Sequence, residues 1–141
     1  MIKIPMMLES EANMNDHWTR KAKRTKKQKF VVTAFLKAYL KKAFAPCVVK
    51  FTRYSPRPYD NDNIIPAFKY VRDAVSEYIL GQVDNKVYRA GRADGDKRIR
   101  WEYRQEKTKD AEHYITIQIE PSYHMQDPTL LSENQVLLVD L

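Results

Sequence analysis

At 141 residues, 43% of them hydrophobic, the chain is long enough for the core of one domain and too short for two ordinary ones. Its apolar runs fall far below a membrane span, its start Met1-Ile2-Lys3-Ile4-Pro5 lacks the charged and apolar regions of a secretory signal, and its single cysteine, Cys47, excludes an intrachain disulfide or a Cys-based zinc site. A cytoplasmic protein with no membrane partner is therefore expected, and Cys47 is given no role. The net charge of +7 is unevenly spread: from Pro121 onward there are three acids (Asp127, Glu133, Asp140) and no Lys or Arg, which leaves residues 1–120 at +10.

In chain order, Ile2 and Ile4 predict a short first strand. Asn15 or Asp16 can cap a long helix from about residue 17 to 44, its start marked by Trp18. The back half of that helix repeats apolar residues at Val31, Ala34, Phe35, Ala38 and Tyr39 and should face the core. Its front half is basic: seven of the ten residues from Arg20 to Lys29 are Arg or Lys. Charge that dense suits a nucleic acid, whose condensed counterions are released on binding, although a solvated helix face is the commoner fate of a basic run taken alone. Val48 to Tyr54, rich in β-branched and aromatic residues, reads as a strand.

That strand leads through Ser55-Pro56-Arg57-Pro58 into Tyr59-Asp60-Asn61-Asp62-Asn63. If this stretch is extended, Asp60 and Asp62 point the same way and converge on one point that would attract a hard cation. A turn with a helix cap explains the same spacing. Ile64, Phe68, Val71, Val75 and Tyr78 then mark an amphipathic helix that starts at Ile64 to Pro66, since Pro is tolerated in a first turn, and ends at Gly81. Asp94-Gly95-Asp96 supplies a second pair of acids, or an ordinary turn. Ile99, Trp101 and Tyr103, and then Ile115, Ile117 and Ile119, alternate with polar residues and should form a hairpin turning in Glu106 to Glu112. The tail, residues 121–141, is acidic with the apolar pairs Leu130-Leu131 and Val136-Leu137-Leu138-Val139, suited to docking on its own domain or a partner.

The elements add up to an α+β fold in the order β-α-β-α-β-β: a small mixed sheet with a long N-terminal helix and a second amphipathic helix packed on it. Carboxylates beside so much positive charge suggest metal-dependent chemistry on phosphates, because Mg²⁺ and Mn²⁺ favour carboxylate oxygens and can activate water at a phosphodiester. No small-molecule cofactor is implied.

Four stretches, Asn13-x-Asn15-x-His17-Trp18 with the basic helix after it, Thr52-Arg53 and Pro56-Arg57 running into Asp60-x-Asp62-Asn63, Lys69-x-Val71-Arg72-Asp73, and Asp94-Gly95-Asp96-x-Arg98-Ile99-x-Trp101-x-Tyr103-x-Gln105, resemble the RusA-like crossover junction endodeoxyribonucleases, in a phage-type subgroup. The resemblance covers residues 13 to 105 in order. It implies a dimer that grips branched DNA and cuts Holliday junctions by paired nicks, with Mg²⁺ or Mn²⁺. By position, Asp60 and Asp62 match the paired metal-binding acids, Asp94 the third acid and Lys69 the catalytic lysine. The family usually has two adjacent aspartates at the third position, whereas Ala93 precedes Asp94, so Asp96 is the alternative fourth carboxylate. Lys69 lies further from Asn63 than in the best-known members, and a lysine snorkelling beside Phe68 also fits. The stretch Gln82 to Ala93 is longer than the family's norm; skipping it would select Asp84, but Asp94 keeps its distance to Ile99 and Trp101. Arg20, Lys21, Lys23, Arg24, Lys26, Lys27, Arg53 and Arg57 are the candidate phosphate contacts, with Arg98, Arg100 and Arg104 weaker ones. His17 and Trp18 are expected to fix the helix start. A nuclease-inactive DNA-binding protein, or a nuclease for flaps or single strands, would also carry much of this pattern.

Overall fold

The computed structural model describes residues 1–9 and 17–122. Asn13, Asn15, Asp16, His124 and the tail beyond Ser122 lie outside them. The described part is an α+β fold in which a mixed four-stranded sheet carries its helices on one face. The elements are β1 (Ile2–Ile4), α1 (Trp18–Tyr39), β2 (Cys47–Ser55), α2 (Asn61–Ala67), α3 (Lys69–Val83), β3 (Ile99–Lys107) and β4 (Tyr114–Pro121). Among the described residues no helix is long and apolar enough to cross a membrane.

The sheet order is β1-β4-β2-β3. β2 runs parallel to β3 and antiparallel to β4, so the expected β3–β4 hairpin does not form: β2 lies between them. Burial explains the insertion, since Cys47, Val48 and Val49 are consecutive buried residues and such a strand needs neighbours on both edges. To cross the end of β2 the chain must travel about two strand spacings, roughly 10 Å, which no two-residue turn can span. Residues 108–113 do it. Thr108 donates its N–H to the Ser55 carbonyl at the end of β2, and its hydroxyl bonds back to the carbonyls of Asp110 and Glu112.

Alternation assigns the faces. Val49, Phe51, Ile99, Ile115 and Ile117 are buried under Val32 and Leu36 of α1, Phe68 at the junction of α2 and α3, and Val71, Val75 and Ile79 of α3. The opposite face presents Lys50, Thr52, Tyr54, Glu102, Tyr114 and Gln118. There Tyr54 stacks on Tyr114 at 4.3 Å between ring centroids, and Lys50 pairs with Glu120 at 3.1 Å.

The helices differ from expectation in several ways. α1 ends at Tyr39, and its buried stripe is Gln28, Val32 and Leu36 with Val31 and Phe35 on the flank; Ala34, Ala38 and Tyr39 are exposed, because the stripe runs one residue later than the apolar run suggests. His17 caps the helix, its Nδ1 accepting from the Thr19 N–H and bonding the Thr19 hydroxyl, while Trp18 is 72% exposed rather than buried. The second helix is two: α2 begins at Asn61, earlier than expected, and the run breaks at Phe68, two residues after Pro66, where the Phe68 N–H turns back to the Ile65 carbonyl.

Gly81 does not end α3. The helix runs on to Val83 and closes at Asn85, which takes the left-handed φ of 52° while the Lys86 N–H returns to the Gly81 carbonyl. A Cβ on Gly81 would meet the Lys86 carbonyl oxygen at 3.2 Å, so this glycine serves the close approach of the returning chain.

Candidate active site

The aspartate segment is built from β2 and β3 upward. On the helix-covered face, β3 presents Ile99, Trp101, Tyr103 and Gln105, beside Cys47, Val49, Phe51 and Arg53 of β2. The Gln105 side chain clamps the backbone of Tyr59: its Oε1 accepts the Tyr59 N–H and its Nε2 donates to the Tyr59 carbonyl, both at 2.8 Å. Arg53 closes the other side. Its guanidinium lies 3.7 Å from the Tyr59 ring centroid, and Nη1 donates to Gln105 Oε1 and to the Arg57 carbonyl. The Tyr59 hydroxyl donates to the Leu8 carbonyl, tying in the chain after β1.

Arg53 is 4% exposed, which corrects its assignment to DNA. Burial draws its pKa down, opposed by the neighbouring Tyr59. It shapes the loop instead of facing a phosphate. Arg57 is exposed and keeps its side chain at the surface.

Asp60 follows this clamp as the N-cap residue of α2, and Asp62 falls in the first helical turn. Only Asp60 is extended, so the two carboxylates are not aligned by strand geometry. Both are exposed, and Asp60 makes no side-chain cap bond although Asp is a favoured capping residue. Lys69 opens α3, exposed, with its Nζ 5.5 Å from the Tyr70 ring centroid. A cation at a helix N-terminus opposes the helix dipole and is a candidate for compensation by an anion.

Asp94 is anchored through its backbone. Its carbonyl accepts from Arg72 Nη2 at 2.8 Å and from the Trp101 indole at 3.3 Å, while Arg72 also bonds the Tyr103 hydroxyl and lies over the Trp101 ring. The Asp94 carboxylate stands 3.7 Å from Arg72 Nε, and it also acts on Asp73. Asp73 is 8% exposed, and its pKa is raised first by burial and then by the charge of Asp94, against the pull of Lys29 and Lys69. A carboxyl raised in the fold destabilises the folded state when ionised. Asp73→Asn should therefore be more stable than wild type at about pH 7 in urea unfolding, with the gap closing as pH falls through the raised value and gone below the ordinary aspartate value of 3.8.

Asp96 is committed elsewhere. Its Oδ1 accepts from the Arg98 N–H and Nε, and its Oδ2 from Arg98 Nη2. Arg98 reaches on to both oxygens of Asp84 at 2.8 and 2.7 Å, and Tyr88 donates to Asp84 as well. These bonds hold the Asp84 and Asp96 carboxyls below the usual range, and Arg98 correspondingly above its own. The cluster closes the long loop between α3 and β3. Both candidate residues are engaged in this tie, Asp96 with Arg98 and Arg98 with Asp84 and Asp96.

Asp73 and Asp94 lie close enough to act on each other, while Asp60 and Asp62 follow the Tyr59 segment that Gln105 holds. Among the described residues no three His, Cys, Asp or Glu form a group that could hold a metal ion. The two segments are anchored apart on β3, since Trp101 and Gln105 are four residues apart, about 13 Å at ~3.3 Å per residue. One or two exposed carboxylates still suit Mg²⁺, which commonly keeps several waters and completes its shell with substrate phosphate. Cys47 is buried, and burial pushes its thiol up to about 11, far from a nucleophile.

Along α1, Arg20, Lys21, Lys23, Lys26 and Lys27 are exposed, while Arg24 is half-buried. Lys29 turns inward to Glu77 of α3 at 2.7 Å. Sequence reasoning assigned no role to Gln105, Arg72 or Asp73. The signal was present for Gln105, because it continues the Ile99, Trp101, Tyr103 phase and so belongs on the covered face. Gln105→Ala should cost about 1–3 kcal/mol by leaving two backbone groups of Tyr59 unpaired. Hydrogen exchange at the Tyr59 amide should accelerate accordingly, with distant core amides unchanged.

The chain matches no protein-family profile, no curated protein and no solved structure.

Proposed function

We propose that the chain is a metal-dependent, structure-specific endodeoxyribonuclease that resolves four-way (Holliday) junctions by paired nicks, in the manner of the RusA-like family it resembles. The observation that carries the reading is the pair of exposed carboxylates, Asp60 and uncapped at that, with Asp62, at the end of a loop whose backbone is clamped by Gln105. A loop held this firmly with no side-chain cap bond supports reading it as a presented site. The exposed cations of α1 supply the phosphate grip, and Arg57 extends it.

In this reading Asp60 and Asp62 hold Mg²⁺ or Mn²⁺ together with water and the DNA phosphate, and Asp94 adds charge from the other segment. The ion would activate water and stabilise the departing oxygen. Lys69 binds the scissile phosphate, its charge favoured there because the helix N-terminus and the ammonium both attract an anion. Two cuts in strands of like polarity call for two sites, hence a homodimer.

The test is incubation with a labelled mobile four-way junction, a matched linear duplex and a flap, each with Mg²⁺, Mn²⁺ or EDTA. Paired nicks in the junction alone, only with metal, are expected. A second reading, a junction-binding protein that does not cut, rests on the finding that no three potential metal ligands are grouped among the described residues. It prevails if the junction is bound and left intact with every ion. Equal cutting of the flap assigns a different structure preference.

A further inference from the structure

A cleft of about 370 Å³ lies between the segment after β1 and helix α1, lined by Met6, Met7, Glu9, Lys27, Gln28 and Val31 among others. Its size falls at the low end of small-molecule sites, about 300–1,000 Å³, which suits a ligand the size of one nucleotide base. Gln28 is the buried member of this lining at 7% exposure, and its Oε1 is buried with no hydrogen-bond partner. A buried amide oxygen left unpaired is costly, so its retention calls for a donor. The terminal torsion of a glutamine is broad, and a small turn of the amide presents that oxygen to the cleft at little cost.

The surroundings specify the donor's chemistry. Met6, Met7 and Val31 offer apolar walls, and thioethers pack well against flat aromatic rings. Lys27, exposed on the basic face of α1, stands at the same cleft for a phosphate. Every nucleobase combines a π-face with an N–H donor on its pairing edge. One hydrogen bond links the cleft wall to the candidate site's segment: Met7 and Glu9 flank Leu8, whose carbonyl accepts from the Tyr59 hydroxyl, and Tyr59 precedes Asp60.

We propose that this cleft receives an unstacked nucleobase of the bound DNA, hydrogen-bonded by Gln28, next to the phosphate presented to Asp60 and Asp62. The inference rests on the DNA-binding part of the function proposed above and needs no cleavage. A four-way junction offers such bases at its branch point, where unstacking costs least.

The test measures binding in EDTA to three duplexes of one sequence: fully paired, with one extrahelical 2-aminopurine, and with an abasic bulge at the same place. Wild type should bind the 2-aminopurine bulge about tenfold tighter than the other two, the effect of one good hydrogen bond and ring contact. The probe's fluorescence should change as its ring leaves the stack. Gln28→Leu and the cleft-filling Val31→Phe should erase that preference while keeping wild-type affinity for the paired duplex, which reports a folded basic helix. Equal affinity for the aminopurine and abasic bulges, or a preference that survives in Gln28→Leu, overturns the proposal. Failure to bind the paired duplex as well removes the DNA reading and the proposal with it.

Discussion

Replacing either exposed aspartate, Asp60→Asn or Asp62→Asn, is expected to reduce junction cutting by on the order of 10³-fold or more, the scale seen when one member of a catalytic set is removed. Binding of the junction should persist or tighten, because a negative charge leaves a surface that approaches phosphates. Stability should hardly move. Asp60 makes no cap bond to lose, and Asp62 gives up only a first-turn interaction with the helix dipole worth about 0.3–1 kcal/mol. The contrast is Asp96→Asn, which breaks part of the tie to Arg98 and should loosen the α3–β3 loop without a comparable loss of cutting. Cleavage by the two kinds of variant, measured beside thermal unfolding, separates chemistry from scaffolding. Equal loss in Asp96→Asn and Asp62→Asn would sink the assignment of Asp96 to the loop.

The largest stability effect should come from Phe68→Ala. Phe68 is fully buried where α2 meets α3, stacked on Phe51 at 4.8 Å and tilted against Tyr103 at 5.9 Å. Phe51 in turn contacts Trp101 and Tyr103, so four rings from two strands and the helix junction form one unit. Deleting a buried ring costs about 3–5 kcal/mol once the cavity is counted. At roughly 3 °C per kcal/mol for a chain of this size, Tm should fall by about 9–15 °C. Phe68→Leu should recover much of it, and Phe30→Ala, at a site 74% exposed, should stay within about 0.5 kcal/mol of wild type. A small Phe68→Ala effect would mean that α2 and α3 are held together by something other than this ring cluster.

Much of the architecture was legible because it depends on local periodicity. The two-residue alternation in Ile115 to Ile119 and the apolar run from Val48 identify strands whatever they pair with. Pairing was not legible. Whether β3 bonds to β4 or to β2 is decided by how many edges β2 must cover, which is a property of the assembled sheet. The break at Phe68 had a local cause in Pro66, but the depth to which Phe68 reaches the sheet did not. For the candidate site, residue identity singled out Asp60, Asp62 and Asp94 but not the side chains that hold their segments. Arg53 was misjudged on charge alone. The phase of Cys47, Val49, Phe51 and Ser55 puts it on the covered face, and there an arginine must be partnered by an aromatic ring and carbonyls.

Among the described residues β3 has a neighbour strand on one side only, and both supports of the candidate site, Trp101 and Gln105, stand on it. Edge strands open at lower free energy than the middle of a sheet. β3 also joins β2 across about fifty residues of sequence, as in Arg53 beside Gln105, so it docks after a long loop has closed. The candidate site is then among the last things the chain acquires on folding and the first it gives up. Mild urea should silence the protein while Ile115, Ile117 and Val49 still protect their amides, and dilution should restore it without global refolding.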